Sequence, residues 1–131
     1  MSQSQDPEQA RRPEDLNRLF LERANAGDVE GVVALYEPDA VLVGPGRQVI
    51  SGRLALRQAY TQLFAAKPTF AGETQAAIRN GNLALTSTQF TLTSVDSDGK
   101  PITMKTATTE VARRQSDGTW LWVIDQPNVL A

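Results

Sequence analysis

The chain has 131 residues and contains neither histidine nor cysteine. Imidazole bases, thiolates, disulfides and thiol-bound zinc are therefore excluded. Any catalysis must come from carboxylates, Tyr, Lys or Arg. Two acidic residues stand out by position: Glu110 in "TTEVARRQ" and Asp125 in "WLWVIDQP". Both stretches read as strands. If the strand face carrying Ala84, Thr86, Thr88 and Phe90 is concave, Glu110 and Asp125 point inward from neighbouring strands. Burial and mutual repulsion split the pKa values of two such carboxyls, so that one donates a proton and the other accepts it. Tyr60, on a helix, is placed to close the mouth.

Each of these residues has a plainer role open to it. Glu110 can pair with Arg113, Arg114 or a Lys of another strand. Asp125 can cap the strand end by bonding backbone near Asn128, and Tyr60 can be a core aromatic. Thr86, Thr88, Thr106 and Thr108 form a hydroxyl stripe, but Thr is favoured in strands on its own account. Arg47 and Arg53 flank Gly44-Pro45-Gly46 and face either an anionic ligand or solvent. That tripeptide lacks the Lys-Ser/Thr of a phosphate loop and reads as a turn. "DSDG" at 96–99 lacks the later Glu of a calcium loop, so no metal and no cofactor is expected.

The net charge is only −2, and basic residues cluster no further than Arg11-Arg12 and Arg113-Arg114. A surface that tracks phosphates needs more, so nucleic acid is not an expected partner. The polar start "MSQSQDPEQARRPEDL" has no apolar h-region, and no apolar run approaches membrane-spanning length. The expected location is the cytoplasm, with no membrane contact.

The elements that must hold these groups follow from periodicity. Residues 1–12 lack apolar anchors and are expected to fray, leaving a single domain over 13–131. From Pro13 a helix carries Leu16, Leu19, Phe20 and Ala24 on one face, with Gly27 as a left-handed cap. Asp28 caps a second short helix whose apolar side is Val32, Val33, Leu35 and Tyr36, stopped by Pro38. "AVLVG" (40–44) is a strand. A third helix after Ser51-Gly52 carries Leu56, Ala59, Tyr60, Leu63 and Phe64. Then "TFAGETQAAIR", "LALTSTQFTLTSV", "ITMKTATTEVARRQ" and "TWLWVIDQP" read as strands joined by "NGN", "DSDGKP" and "SDG" turns. Helices followed by a strand meander predict an α+β fold with the helices on one sheet face. In the last strand, alternation sets Trp120, Trp122 and Ile124 against Leu121, Val123 and Asp125. With one face toward the helices, the tryptophan face is expected to meet a second subunit.

"NAGDVEGVVALYEPDAVLVGPG" followed by "SGRLALRQAY" resembles the nuclear transport factor 2-like superfamily, which includes ketosteroid isomerase, scytalone dehydratase and the polyketide cyclases. Within it the chain is most similar to the small SnoaL-like, steroid-isomerase-like proteins of bacteria. The resemblance implies a cystatin-like cone in which three N-terminal helices pack on a strongly curved mixed or antiparallel sheet. In the isomerases a carboxylate base follows the first strand, where this chain has Gly44. A Tyr of the first helix donates to the oxyanion, and Phe20 stands there. A protonated acid on a later strand falls at Glu110. Ketosteroid isomerisation is therefore not expected.

The resulting expectation is a homodimer with a conical pocket for a small, largely apolar organic molecule. Phe20, Tyr36, Leu42, Thr86, Thr88, Phe90, Thr108 and Val123 would line it, and Trp120 and Trp122 would form the dimer interface. Catalysis, if present, is acid–base work of isomerase, cyclase or dehydratase type by Glu110, Asp125 and Tyr60. The alternative is a non-catalytic binding or dimerisation module whose pocket is filled by its own side chains.

Overall fold

The computed structural model describes residues 7–127. Three helices, α1 (Asp15–Asn25), α2 (Val29–Val33) and α3 (Arg53–Phe64), accompany six strands. The strands are β1 (Tyr36–Val43), β2 (Val49–Ser51), β3 (Thr69–Asn80), β4 (Leu83–Val95), β5 (Pro101–Arg114) and β6 (Trp120–Gln126). They form one sheet in the order β2-β1-β6-β5-β4-β3. All pairs are antiparallel except β1 with β6, so the sheet is mixed and the first long strand lies beside the last. This is an α+β cone with the helices against its inner face.

The helical corner at the start follows from its capping chemistry. α1 buries Leu16, Leu19, Phe20 and Ala24, the face given by helical spacing. Gly27 then takes φ +70°, a conformation open to glycine at no steric cost. Asp28 accepts from the Gly31 N–H at 2.9 Å and starts α2, a cap worth about 1 kcal/mol. Asn25 clamps the corner to the sheet: its Nδ2 donates to the Phe70 carbonyl at 2.9 Å, and its Oδ1 accepts from the Phe70 N–H at 2.7 Å. Ahead of Pro13, Ala10 is buried and its carbonyl accepts from the Trp120 N–H at 2.9 Å.

Three expectations are corrected. First, α2 ends at Val33, and Tyr36 opens β1 instead of closing a helix. Pro38 lies inside β1, within a break in pairing: Tyr36 is partnered with Trp122, and the ladder resumes at Val41 with Ile124. A residue without an N–H is tolerated where the ladder is interrupted. Second, residues after the Gly44-Pro45-Gly46 turn add a short strand, β2, antiparallel to β1.

The third correction concerns the tryptophans. Between Val111↔Ile124 and Ala112↔Trp122 the β5–β6 ladder slips by one residue, leaving Val123 as the extra residue of a bulge. The bulge reverses the phase of β6. Trp120 and Trp122 (1% and 3% exposed) share the inner face with Asp125, while Ile124 is turned outward at 44% exposure. Both indoles are thus spent in the chain's own core, which leaves them no surface to offer a second subunit. Val123, expected to line a pocket, is the bulge residue and is half-buried.

Candidate functional site

Glu110 of β5 and Asp125 of β6 are direct cross-strand partners, and Thr86 of β4 is the partner of Glu110 on its other side. Three neighbouring strands therefore set Thr86, Glu110 and Asp125 in one row on the inner face. Both acids are buried, at 3% and 7% exposure. Thr86 Oγ1 donates to Glu110 Oε1 at 2.7 Å. Glu110 Oε2 is buried without a hydrogen-bond partner among the described residues, as are Thr88 Oγ1 and Trp122 Nε1. Thr88 and Thr108, partners across β4 and β5, lie one inward step along from Glu110 and are buried too.

Asp125 is reached from the other side by hydroxyls. Tyr36 Oη donates to Asp125 Oδ2 at 2.5 Å, and it lies 2.5 Å from Tyr60 Oη. α3 supplies Tyr60 because Leu56, Tyr60 and Phe64 recur every four residues on its buried face. β1 supplies Tyr36 because it is the parallel partner of Trp122. Tyr60 thus joins the acids through Tyr36, a link missed when Tyr36 is counted as part of a helix. Arg53 fixes Tyr36 further, donating to its backbone carbonyl at 2.6 Å.

Neither acid forms an ion pair among the described residues. Arg113, offered by the sequence as a partner of Glu110, lies three positions along the strand and points to the opposite face. There it bonds Glu37 at 2.9 Å, and Gln115 Nε2 donates to the same carboxylate at 2.7 Å. The backbone cap offered for Asp125 involves Asn128, outside the described residues. Burial raises the Glu110 pKa, and the Thr86 hydroxyl that donates to it opposes the rise. Burial, and then the charge of Glu110, lift Asp125 to about 7, with the Tyr36 hydrogen bond opposing them. Burial also raises both tyrosine hydroxyls. Two buried acids side by side, with no ion pair among the described residues, thus favour holding a proton above the ordinary carboxylate range.

The space above this row is packed with rings. Phe20 is the hub, with centroids 5.6 Å from Phe70, 5.8 Å from Phe90, 6.0 Å from Trp122 and 6.1 Å from Tyr60. Of the other expected lining residues, Leu42 is buried as the partner of Asp125, and Thr86, Thr88, Thr108 and Tyr36 are buried around the acids. Two recesses open on the sheet, of about 290 and 240 Å³. The first is lined by Ala71, Glu73, Gln89 and Thr91, and the second by Ile78, Leu83, Leu85 and Val111. Both lie on the outer face, away from Glu110. Gly44 offers no base, and a Cβ there would sit 3.0 Å from Ile50 Cδ1.

Residues 17–123 match the SnoaL-like domain family. Among solved structures, a ketosteroid isomerase-like protein from Erwinia carotovora atroseptica is 22% identical, with a TM-score of 0.73 over 90% of this chain and 93% of the other. A nuclear transport factor 2-like protein with a cystatin-like fold from Novosphingobium aromaticivorans is 20% identical, with a TM-score of 0.75 over 89% and 79%. A suggested dehydratase of the nuclear transport factor 2-like family from Streptomyces avermitilis is 23% identical, with a TM-score of 0.73 over 88% and 93%. No curated protein matches the chain. At these identities the likeness is one of fold. No helix among the described residues is long and apolar enough to cross a membrane. With the cone built and its family matched over most of its length, the chain belongs to the SnoaL-like domain family, on the cystatin-like fold of the nuclear transport factor 2-like proteins.

Proposed function

We propose that this is a cytoplasmic, cofactor-independent acid–base protein that acts on a small, largely apolar carbonyl compound inside the cone. The observation that carries this reading is the pair of buried carboxyls, Glu110 and Asp125, neither of which forms an ion pair among the described residues. Burying charge without a counter-charge is costly, and a core built only for stability gains nothing from it. The pair has a use if one carboxylate takes a proton from carbon beside the carbonyl while a neighbouring acid or hydroxyl supports the resulting enolate oxygen. Isomerase, cyclase and dehydratase chemistry all begin this way, and the name of the Streptomyces avermitilis neighbour is in keeping with it.

A second reading, a non-catalytic module with a self-filled cone, is favoured by one observation: the rings of Phe20, Tyr60, Phe90 and Trp122 occupy the interior. A thermal-shift screen of cyclic ketones and aromatic polyketide fragments separates the two. Under the first reading a ligand held well above its Kd raises the melting temperature. Glu110→Gln or Asp125→Asn then lowers turnover of that ligand by about 100-fold or more. If no compound shifts the melting temperature and soaked crystals keep the rings closed, the second reading stands.

The outer face supports a homodimer in either case. Ile78, Leu85, Val111 and Ile124 are successive cross-strand partners in a row over β3 to β6, facing away from the helices. Ile78, Leu85 and Ile124 are 62%, 40% and 44% exposed. A second copy that covers this row would remove it from water.

A further inference from the structure

The oxygens of Tyr60, Tyr36 and Asp125 form a chain with two links of 2.5 Å each. Each hydroxyl carries one proton, and an ionised carboxylate only accepts. When Asp125 is ionised, the Tyr36 proton lies on the link to Oδ2. Tyr36 then presents only lone pairs to Tyr60, and a 2.5 Å contact without a proton between the oxygens is repulsive. Tyr60 must therefore donate to Tyr36, and toward anything else it can only accept. For Tyr60 to donate elsewhere, Tyr36 must donate to Tyr60, and Asp125 must in turn donate from Oδ2 to Tyr36.

We infer that Tyr36 is a positioning residue that ties Tyr60 to Asp125 in one cooperative chain, so that Tyr60 donates to a ligand oxygen only when Asp125 carries a proton. This rests on the proposed interior site, where the polarity of Tyr60 matters. A carbonyl oxygen bound at Tyr60 then takes up a proton at Asp125, and its binding weakens as pH rises. A ligand hydroxyl, which donates to Tyr60, has the opposite preference. Among the described residues, two charged groups face the hydrogen-bonded chain. Glu110 on β5 acts on Asp125 and on Tyr60 by its charge, and Arg53 on α3 holds the Tyr36 carbonyl.

The chain can be tested without substrate, so its failure is distinct from a failure of the proposed activity. The Asp125 titration is followed by carboxyl ¹³C NMR in the wild type, Tyr60→Phe, Tyr36→Phe and the double variant. Tyr36→Phe removes a donor to the ionised carboxylate and raises the Asp125 midpoint by about one pH unit. Tyr60 makes no hydrogen bond to Asp125, yet Tyr60→Phe weakens the Tyr36 link and raises the midpoint by about 0.3 unit. In the Tyr36→Phe background the second substitution adds nothing. Glu110→Gln lowers the midpoint and leaves the Tyr60 effect intact. An unchanged midpoint in Tyr60→Phe, or an equal shift in both backgrounds, overturns the inference. Phenylalanine keeps the ring packing at both positions, and ¹H–¹⁵N spectra report whether each variant is folded.

Discussion

Glu110 and Asp125 stand opposite one another on adjacent strands, both turned into the cone, and neither is paired with a cation among the described residues. Tyr36 bonds one of them and Thr86 the other. Hydroxyls are weaker partners for a carboxylate than a guanidinium, so the pair retains a proton where a surface acid would lose it. The consequences reach stability, assembly and chemistry.

Stability should fall with rising pH across the window opened by these acids. Asp125 titrates near 3.8 in the unfolded chain and near 7 in the fold, and Glu110 is shifted in the same direction. Between those values the native state holds more protons than the unfolded state. The stabilising contribution is thus complete below the unfolded value and is lost as pH rises through the folded one. For one group the slope reaches about 1.4 kcal/mol per pH unit. Urea unfolding from pH 5 to pH 8 should show this decline, and Asp125→Asn should flatten it. A stability that rises over that range contradicts the burial of the pair.

The corrected placement of β6 separates two neighbouring residues. Trp122→Ala empties part of the core and should cost about 3–5 kcal/mol in denaturant unfolding. Ile124→Asp, on the exposed outer face, should leave stability within about 1 kcal/mol. It should also shift the protein from dimer to monomer in light scattering at micromolar concentration. A strictly monomeric wild type would remove the dimer proposal.

Phe20 touches four other rings and anchors α1 to the sheet. Phe20→Ala should cost about 3–5 kcal/mol, and Phe20→Leu distinctly less, because more of the volume is kept. Phe20→Tyr is the informative polar change. It adds a hydroxyl to a ring cluster near the acids and should be tolerated only if that hydroxyl finds Glu110 or water.

The wild type should not turn over a Δ5-3-ketosteroid above background, since Gly44 provides no base and Phe20 no hydroxyl. Gly44→Asp tests how much of that deficit is the base alone. Its Cβ meets the flexible end of Ile50, which can move. Turnover by the wild type comparable to that of a true isomerase would refute this reading.

The apolar faces of α1 and α3, the four long strands and the two acids were legible because each rests on a repeating pattern, whereas the face read for α2 ran past its end at Val33 into Leu35 and Tyr36. Leu16, Leu19, Phe20 and Ala24 keep helical spacing, and β4 alternates cleanly from Leu83 to Phe90. What could not be read was the interruption of a pattern. The bulge at Val123 carries no glycine or other local mark, yet it moves Asp125 onto the tryptophan face. The break around Pro38 hides a strand behind a residue that ordinarily ends elements. The link from Tyr60 to Asp125 depends on both, because Tyr36 reaches Asp125 only when β1 starts early and β6 changes phase. Short β2 is held by pairing with β1 rather than by a signal of its own.

The central claim is that the cone keeps a proton on its carboxyl pair near neutral pH. Carboxyl ¹³C NMR of the uniformly labelled protein, with Glu110→Gln and Asp125→Asn for assignment, measures it directly. The account predicts that Asp125 titrates near 7 and that Glu110 titrates above its ordinary range. It also predicts that loss of Glu110 lowers the Asp125 midpoint. If both carboxyls titrate near 4 and ignore each other, they are solvated and independent, and the proposed acid–base chemistry is contradicted.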